Sequence, residues 1–233
     1  MALEAERRTR ERLEEADRLR RTFLASLAHD FRTPLTVITG RLSLLAQDNP
    51  DARDALVAAQ RLDRMMTDLI GAARIEAGSL APVMESLDLI DAIGEAVDGL
   101  AVPLGLSVQR NVPADLPFVT GDPVLLHHIM TNLIDNALRH ATTTVTLDAR
   151  RAGENALFCV SDDGPGVPEA ERDRIFERFV RLEGSDRTSG SGLGLAIVKG
   201  FADAMGMAVS VDAAQLGGTC FTLAMPIAAK GSA

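Results

Sequence analysis

The sequence predicts a multidomain protein: an antiparallel helical hairpin that pairs with a second copy as a four-helix bundle, followed by a layered domain of strands and helices. Three observations carry the prediction. From Leu27 to Ala73 apolar residues recur at helical spacing, interrupted by Gln47-Asp48-Asn49-Pro50-Asp51. Beyond Ser79–Ser86, short β-like runs alternate with helical ones. The 233 residues are 46% hydrophobic with no Trp, no Tyr and only eight Phe, so the cores must be filled by Leu, Ile, Val, Ala and Met.

Residues 1–21 are nearly all helix formers and mostly charged, with Leu3, Leu13, Ala16 and Leu19 as sparse apolar points. They read as a coiled-coil-like helical lead-in, or more simply as a solvated helix. The hairpin spans 22–78. Its first helix continues to about Ala46, with Pro34 as the place for a kink. Pro50 opens the second helix, where Leu56, Ala59, Leu62, Met66, Leu69 and Ala73 form one stripe ending near Gly78. A lone hairpin cannot cover both sides of its stripes; two hairpins can, so a homodimer is expected.

Residues 79–86 read as a linker. The second domain, 87–228, has strand-like runs at 106–112, 142–150, 156–161, 207–213 and 218–225, with a hairpin turn at Ala152-Gly153-Glu154. Helical patterns lie at 89–100, 123–140, 168–176 and 193–205. Gly164–Gly192 is polar, glycine-rich and too long for an ordinary connection, which marks a lid over about 167–192. Residues 229–233 form a tail.

The 33 acidic against 24 basic residues give a net charge of −9, which argues against nucleic acid or an anionic membrane as the main partner. No membrane-spanning segment or export signal is expected: the most apolar stretch, Gly192–Val211, is broken by Lys199 and Asp203. Cys159 and Cys220, far apart in strand-like runs, read as buried small hydrophobes of a reducing cytoplasm.

The most informative segment is His29-Asp30-Phe31-Arg32-Thr33-Pro34. On a helix, Leu27 and Phe31 each lie about 200° from His29, so the core stripe through Leu35, Ile38, Leu42 and Leu45 faces away from the imidazole. Thr33, one turn on, shares the exposed face, and Asp30 is adjacent. An exposed imidazole beside a carboxylate and a hydroxyl is arranged for chemistry.

Four motifs of the second domain need one explanation. Asn132, Asn136, Arg139 and His140 share one helix face, and asparagine oxygens suit a Mg²⁺ that keeps waters and bridges phosphates. Asp162-Asp163-Gly164-Pro165-Gly166 closes a strand, where a carboxylate could accept from an exocyclic amine and glycines allow close approach. Gly190-Ser191-Gly192-Leu193-Gly194 opens a helix whose N–H groups could meet an anion. Gly217-Gly218-Thr219 enters the last strand. Each alone is weak: a polar helix face, a turn, a glycine run.

In this order, joined to the His29 segment, they resemble the cytoplasmic core of a bacterial sensor histidine kinase over residues 20 to 227. His29–Pro34 resembles that family's phosphoacceptor box, Asn132–Ala141 its asparagine box and Asp162–Gly166 its first glycine box. Ile175-Phe176-Glu177-Arg178-Phe179 is similar to the phenylalanine box, and Gly190–Gly194 and Gly217–Gly218 to the later glycine boxes. Stretches around Pro113–His128 and Ala73–Gly78 also resemble the potassium-responsive Kdp-type subgroup.

The resemblance implies a dimerisation and phosphotransfer hairpin at 22–78 and, at 87–228, an ATP-binding α/β sandwich of the gyrase, histidine kinase and MutL type. It implies that His29 accepts the γ-phosphoryl group of ATP and passes it to an aspartate on the receiver domain of a response regulator. Asp30 would orient the ring. Asn136 would be the Mg²⁺ ligand, with Asn132 close by and Asp135 behind them. Asp162 would bind the adenine amino group, and Arg139 with one or both of Arg178 and Arg181 would contact phosphates. Gly164, Gly166, Gly190, Gly192, Leu193, Gly194 and Thr219 complete the expected ATP site. His140 stands where the family often has an aromatic and could stack on adenine. Asp30 and Phe31 replace the frequent Glu and Leu while keeping a carboxylate and an apolar contact.

Thr33 would position water for hydrolysis of the partner's aspartyl phosphate, a second activity. Adjacent His127 and His128 point about 100° apart and read as helix surface rather than a metal pair. Two rival readings are a conformational ATPase of the gyrase and MutL type, and a non-catalytic scaffold that docks a response regulator. The exposed His29 argues against the first and the intact Asn132, Asn136 and Asp162 against the second. The expected location is the cytoplasm, including that of the cytoplasmic part of a larger membrane-bound sensor.

Overall fold

A computed structural model describes residues 34–46, 49–78, 80–98, 102–180, 192–215 and 217–229. The lead-in and residues His29–Thr33 lie outside the described residues, as do Gln47 and Asp48 of the expected turn. The chain separates into two compact units, Met1–Leu80 and Ala81–Ala233.

In the first unit, α1 (34–45) is followed by α2 (Pro50–Glu76). Pro50 has no N–H to leave unsatisfied, and the Asn49 side chain accepts from the amides of Asp51 at 2.9 Å and Ala52 at 3.4 Å. Arg53 Nε donates to the Ala46 carbonyl at 2.7 Å, tying the end of α1 to the start of α2. Leu35, Ala46, Ala52, Ala59 and Ala72 are buried. Ile38, Leu45, Leu62 and Leu69 of the two stripes remain 46%, 60%, 50% and 55% exposed.

The second unit is an α/β sandwich. Its elements are β1 (Glu85–Leu87), α3 (Leu89–Asp98), β2 (Ser107–Asn111), β3 (Val119–Gly121), α4 (Pro123–His140), β4 (Thr144–Ala152), β5 (Asn155–Asp162), α5 (Gly194–Ala204), β6 (Ala208–Ala213) and β7 (Thr219–Pro226). A five-stranded sheet has the order β2-β4-β5-β7-β6, with β2 parallel to β4 and all other neighbours antiparallel. Period-2 alternation sends Val145, Leu147, Phe158, Val160, Phe221, Leu223 and Met225 to one face, where all are buried. Helix α4 meets that core with Leu126, Ile129, Met130, Leu133, Ile134 and Ala137, a 3.6-residue stripe. Burying a side chain such as Phe158 contributes about 2–3 kcal/mol.

Asp122 caps α4, its Oδ1 accepting from Val124 N at 2.9 Å and Leu125 N at 3.0 Å. Its Oδ2 accepts from Val83 N at 2.9 Å, which holds the approach to β1 beside the start of α4.

Several sequence expectations need correction. Glu85 and Ser86, assigned to the linker, begin β1, which pairs with β3 as a separate two-stranded sheet. Strands of three residues carry no alternation to read. The first strand residues expected at Thr142 and Thr143 lie outside β4, because their amides donate to the Asp163 side chain instead. The helix expected near 168–176 is two 3₁₀ turns, Glu169–Glu171 and Arg174–Phe176; Ile175 is their one buried residue, too little apolar anchorage for an α-helix. Cys159 and Cys220 are not core residues: both sit half-buried on the sheet face opposite Phe158 and Phe221.

Candidate functional site

Four chain segments expected to share a site converge around the C-terminal half of α4 and the end of β5. The apolar stripe of α4 faces the sheet, which leaves Asn132 and Asn136 half-exposed on the other side, with Arg139 and His140 exposed beyond them. Asn132 Nδ2 donates to the His128 carbonyl at 3.0 Å, which frees its Oδ1. A Cβ at Gly194, the first residue of α5, would stand 2.8 Å from that oxygen. Glycine therefore lets the α5 N-terminus press against the asparagine face.

Asp162 is the centre of the arrangement. It is 2% exposed at the end of β5. Its Oδ1 accepts from Gly164 N at 2.9 Å and Thr219 N at 3.3 Å. Its Oδ2 is buried without a partner. Burial pushes this carboxyl above its usual range, opposed by the two backbone N–H groups. An orphaned carboxylate oxygen costs free energy unless something donates to it, and among the described residues nothing does.

The surrounding glycines are required by contact. A Cβ on Gly164 would overlap the His140 carbonyl oxygen, and one on Gly218 (φ +78°) would overlap the Asp162 carbonyl oxygen. Gly166 (φ +78°) approaches the Gly218 carbonyl, with its Cβ position 3.1 Å away. These approaches lock the 162–166 turn, the end of α4 and the entry to β7 together. Thr219, buried at that entry, fixes Asp162 through its amide.

Asp163, singled out in sequence only as part of the turn, has a structural task. It accepts from Thr142 N at 2.8 Å, Thr143 N at 3.0 Å and Thr144 N at 3.1 Å, and from the Thr143 hydroxyl. The Thr143 hydroxyl, followed by these amides, holds its carboxyl well below the usual carboxylate range. A run of three threonines was the available signal.

Arg139, expected on phosphate, is ion-paired with Asp135 one turn back. Although His140 is exposed overall, partial desolvation of its ring, helped by the Arg139 charge, lowers its pKa, with Asp162 opposing. A neutral ring beside the Asp162 pocket is suited to stacking. Phe176 packs edge-on against Phe221 with centroids 6.3 Å apart, anchoring the 174–179 segment to the core. Arg178 is exposed three residues past the buried Ile175. Phe179 carries φ +61° and donates its N–H to the Gly192 carbonyl at 2.9 Å; a Cβ on Gly192 would come within 3.0 Å of Phe179 Cα. Leu193 is buried next to it. His128 packs edge-on to Phe201 at 5.4 Å while His127 is exposed, and no group of three metal-ligating His, Cys, Asp or Glu occurs among the described residues. His29, Asp30, Thr33, Arg181 and Gly190 lie outside the described residues.

Comparisons with known proteins find a match for each part of the chain. Residues 19–78 match the family described as His Kinase A (phospho-acceptor) domain. Residues 121–229 match the family described as histidine kinase-, DNA gyrase B-, and HSP90-like ATPase. The chain is 32% identical over 222 residues to the sensor protein KdpD of Escherichia coli, which covers 91% of this chain and 25% of that protein. It is equally 32% identical, over 227 residues, to the histidine-protein kinase AfsQ2 of Streptomyces coelicolor, covering 88% of this chain and 42% of that one, so the similarity is to the family at large. The chain thus spans a quarter to under half of these relatives. Among solved structures, full-length ShkA in complex with AMPPNP has a TM-score of 0.64 at 30% identity, covering 90% of this chain and 46% of that one. The mycobacterial sensor histidine kinase MprB has a TM-score of 0.55 at 31% identity, covering 62% of this chain and 98% of that one. A phosphoacceptor-type helical unit followed by an α/β sandwich with this carboxylate-centred site makes the chain a member of the bacterial sensor histidine kinase family.

Proposed function

We propose that the protein catalyses ATP-dependent phosphorylation of its own His29 and passes the phosphoryl group to an aspartate of a response regulator receiver domain. The observation that carries the nucleotide half is Asp162, whose buried, unpartnered Oδ2 is a ready acceptor for the adenine amino group. The match of 19–78 to a phosphoacceptor domain supports the other half and favours a kinase over a conformational ATPase or a docking scaffold.

In this reading 22–78 is the phosphotransfer hairpin, 79–86 joins it to the ATP-binding domain at 87–228, and about 167–192 forms the lid. The chain's own residues divide the work. Asp162 and Thr219 select the base, His140 stacks on it, and the glycines at 164, 166, 190, 192 and 194, with Leu193, let backbone close on the nucleotide. Arg139, Arg178 and Arg181 take phosphate charge, Arg139 by exchanging Asp135 for a phosphate oxygen. Asn136 and Asn132 fit a Mg²⁺ that arrives with ATP: they are neutral oxygen donors, and Asn132 Oδ1 looks onto the open, glycine-lined α5 N-terminus. When bound, that ion would neutralise charge on the β- and γ-phosphates. Asp30 would hold one imidazole nitrogen of His29 so that the other attacks in line.

The half-exposed leucine stripes of α1 and α2 support a homodimer. Among the described residues no helix is long and apolar enough to cross a membrane. Cytoplasmic placement, within a longer membrane-bound sensor, is part of the proposal, since relatives extend well beyond this segment.

Incubation with γ-labelled ATP tests the reading. Acid-labile, base-stable label that disappears in His29→Ala is the expected result. Phosphate release without label would mean the ATPase, and neither would mean the scaffold. The phosphatase activity rests on Thr33: Thr33→Ala should keep autophosphorylation and slow loss of phosphate from the regulator, and equal loss of both would remove the assignment.

A further inference from the structure

The chain has only two cysteines, and the fold brings them together from positions 61 residues apart in sequence. In the β5–β7 ladder Cys159 faces Thr222 and Cys220 faces Ser161, so the cysteines are diagonal neighbours on one sheet face. The Thr222 hydroxyl lies 3.6 Å from Cys159 Sγ and 3.9 Å from Cys220 Sγ. The two thiols therefore share one hydroxyl neighbour. Both are half-exposed on the face opposite the core, outside the Asp162 site. We infer that Cys220 and Cys159 form a peroxide-reactive dithiol, Cys220 as the attacking thiolate and Cys159 as the resolving thiol.

The environment separates the two roles. The neighbouring Cys159 thiol, aided by Ser161 and Thr222, lowers Cys220 below the usual thiol range against burial and the nearby Asp212. The neighbouring Cys220, together with burial, pushes Cys159 up, with Thr222 and Arg150 opposing. A low-pKa, accessible thiol beside a protonated partner is the arrangement of a redox-sensing pair. The Cys220 thiolate attacks one peroxide oxygen, forming an S–O bond as the O–O bond breaks; the leaving hydroxide takes a proton and departs as water. The Cys159 sulfur then attacks the sulfenic sulfur, forming S–S as S–O breaks, and its proton leaves with the hydroxide as a second water. Diagonal neighbours stand about 7–8 Å apart at Cα, beyond the usual disulfide span, so the bond requires a local shift along the β5–β7 ladder and is easily reduced. This inference does not rest on the kinase reading.

The test treats the reduced full chain with hydrogen peroxide and follows both thiols by iodoacetamide labelling and peptide mass. Before oxidation, Cys220 should alkylate at least about tenfold faster than Cys159 at neutral pH. Peroxide should remove both thiols together, give one Cys159–Cys220 cross-linked peptide and be reversed by dithiothreitol. In Cys159→Ser, oxidation should stop at a Cys220 sulfenic acid trapped by dimedone. Equal alkylation rates, a lasting sulfenic acid in the unsubstituted chain, or disulfides only between chains would overturn the inference. The measurements on the unsubstituted chain decide it even if the variant fails to fold.

Discussion

The two units solve the burial problem in opposite ways. The sandwich places Phe158, Phe221, Leu133, Ile134, Leu223 and Met225 out of water entirely, using its own helices and strands. The hairpin leaves Leu62 and Leu69 half in water because two helices have no third side to offer. One unit covers its own core; the other leaves an apolar surface that the proposed homodimer would cover. In the proposed reading, the nucleotide-binding parts sit where packing is self-sufficient, and His29 belongs to the unit that would complete its core against a second copy.

The sharpest way to break this contrast is Leu62→Glu with Leu69→Glu. Each change enters a two-fold interface twice, so losing on the order of 1 kcal/mol per half-buried leucine should weaken dimerisation by about a thousandfold. Sedimentation would show it, while ATP binding by the sandwich should be unchanged. Next, Gly218→Ala forces a left-handed backbone and an overlap with the Asp162 carbonyl. It should cost about 3 kcal/mol in urea unfolding of the sandwich and leave dimerisation intact.

Asp162→Asn separates stability from binding inside the sandwich. Replacing the orphaned oxygen by an amide donor should weaken ATP by about 2 kcal/mol in calorimetric titration. Because the native carboxyl is raised, its ionisation works against folding as pH rises through the raised value. The variant should thus be at least as stable as the parent at neutral pH. The smallest effect concerns Asp163, whose native carboxyl is lowered. Its contribution is present above the ordinary carboxylate pKa near 4 and is lost as pH falls toward the lowered one. Asp163→Asn should flatten the acid side of a thermal-midpoint profile; an unchanged slope would discount the Thr142–Thr144 cradle.

Much of this was legible because period carries physics. The α4 stripe from Leu126 to Ala137 set which face was left for Asn132 and Asn136, and β5 and β7 alternate as their sequences do. What escaped was either too short or too distant. Strands β1 and β3 have three residues each, and their pairing depends on chain 34 residues away. The cysteines were misplaced because an apolar run reads as core, although alternation through Phe158-Cys159-Val160 puts the sulfur outside. The partnerless oxygen of Asp162 is a fact of three dimensions: sequence offered a turn, and only the approach of Gly218 and Thr219 shows which oxygen is spent.

Asp122 gives the sandwich a mechanical property. One oxygen of its carboxylate grips the first turn of α4 and the other grips Val83, three residues beyond the end of the first unit. Tension on the chain entering the sandwich is therefore delivered to the near end of a rod about 27 Å long. The far end of that rod, His140, abuts Gly164 and the floor of the Asp162 pocket. A single carboxylate pins the arriving chain to the helix that ends beside the proposed adenine site.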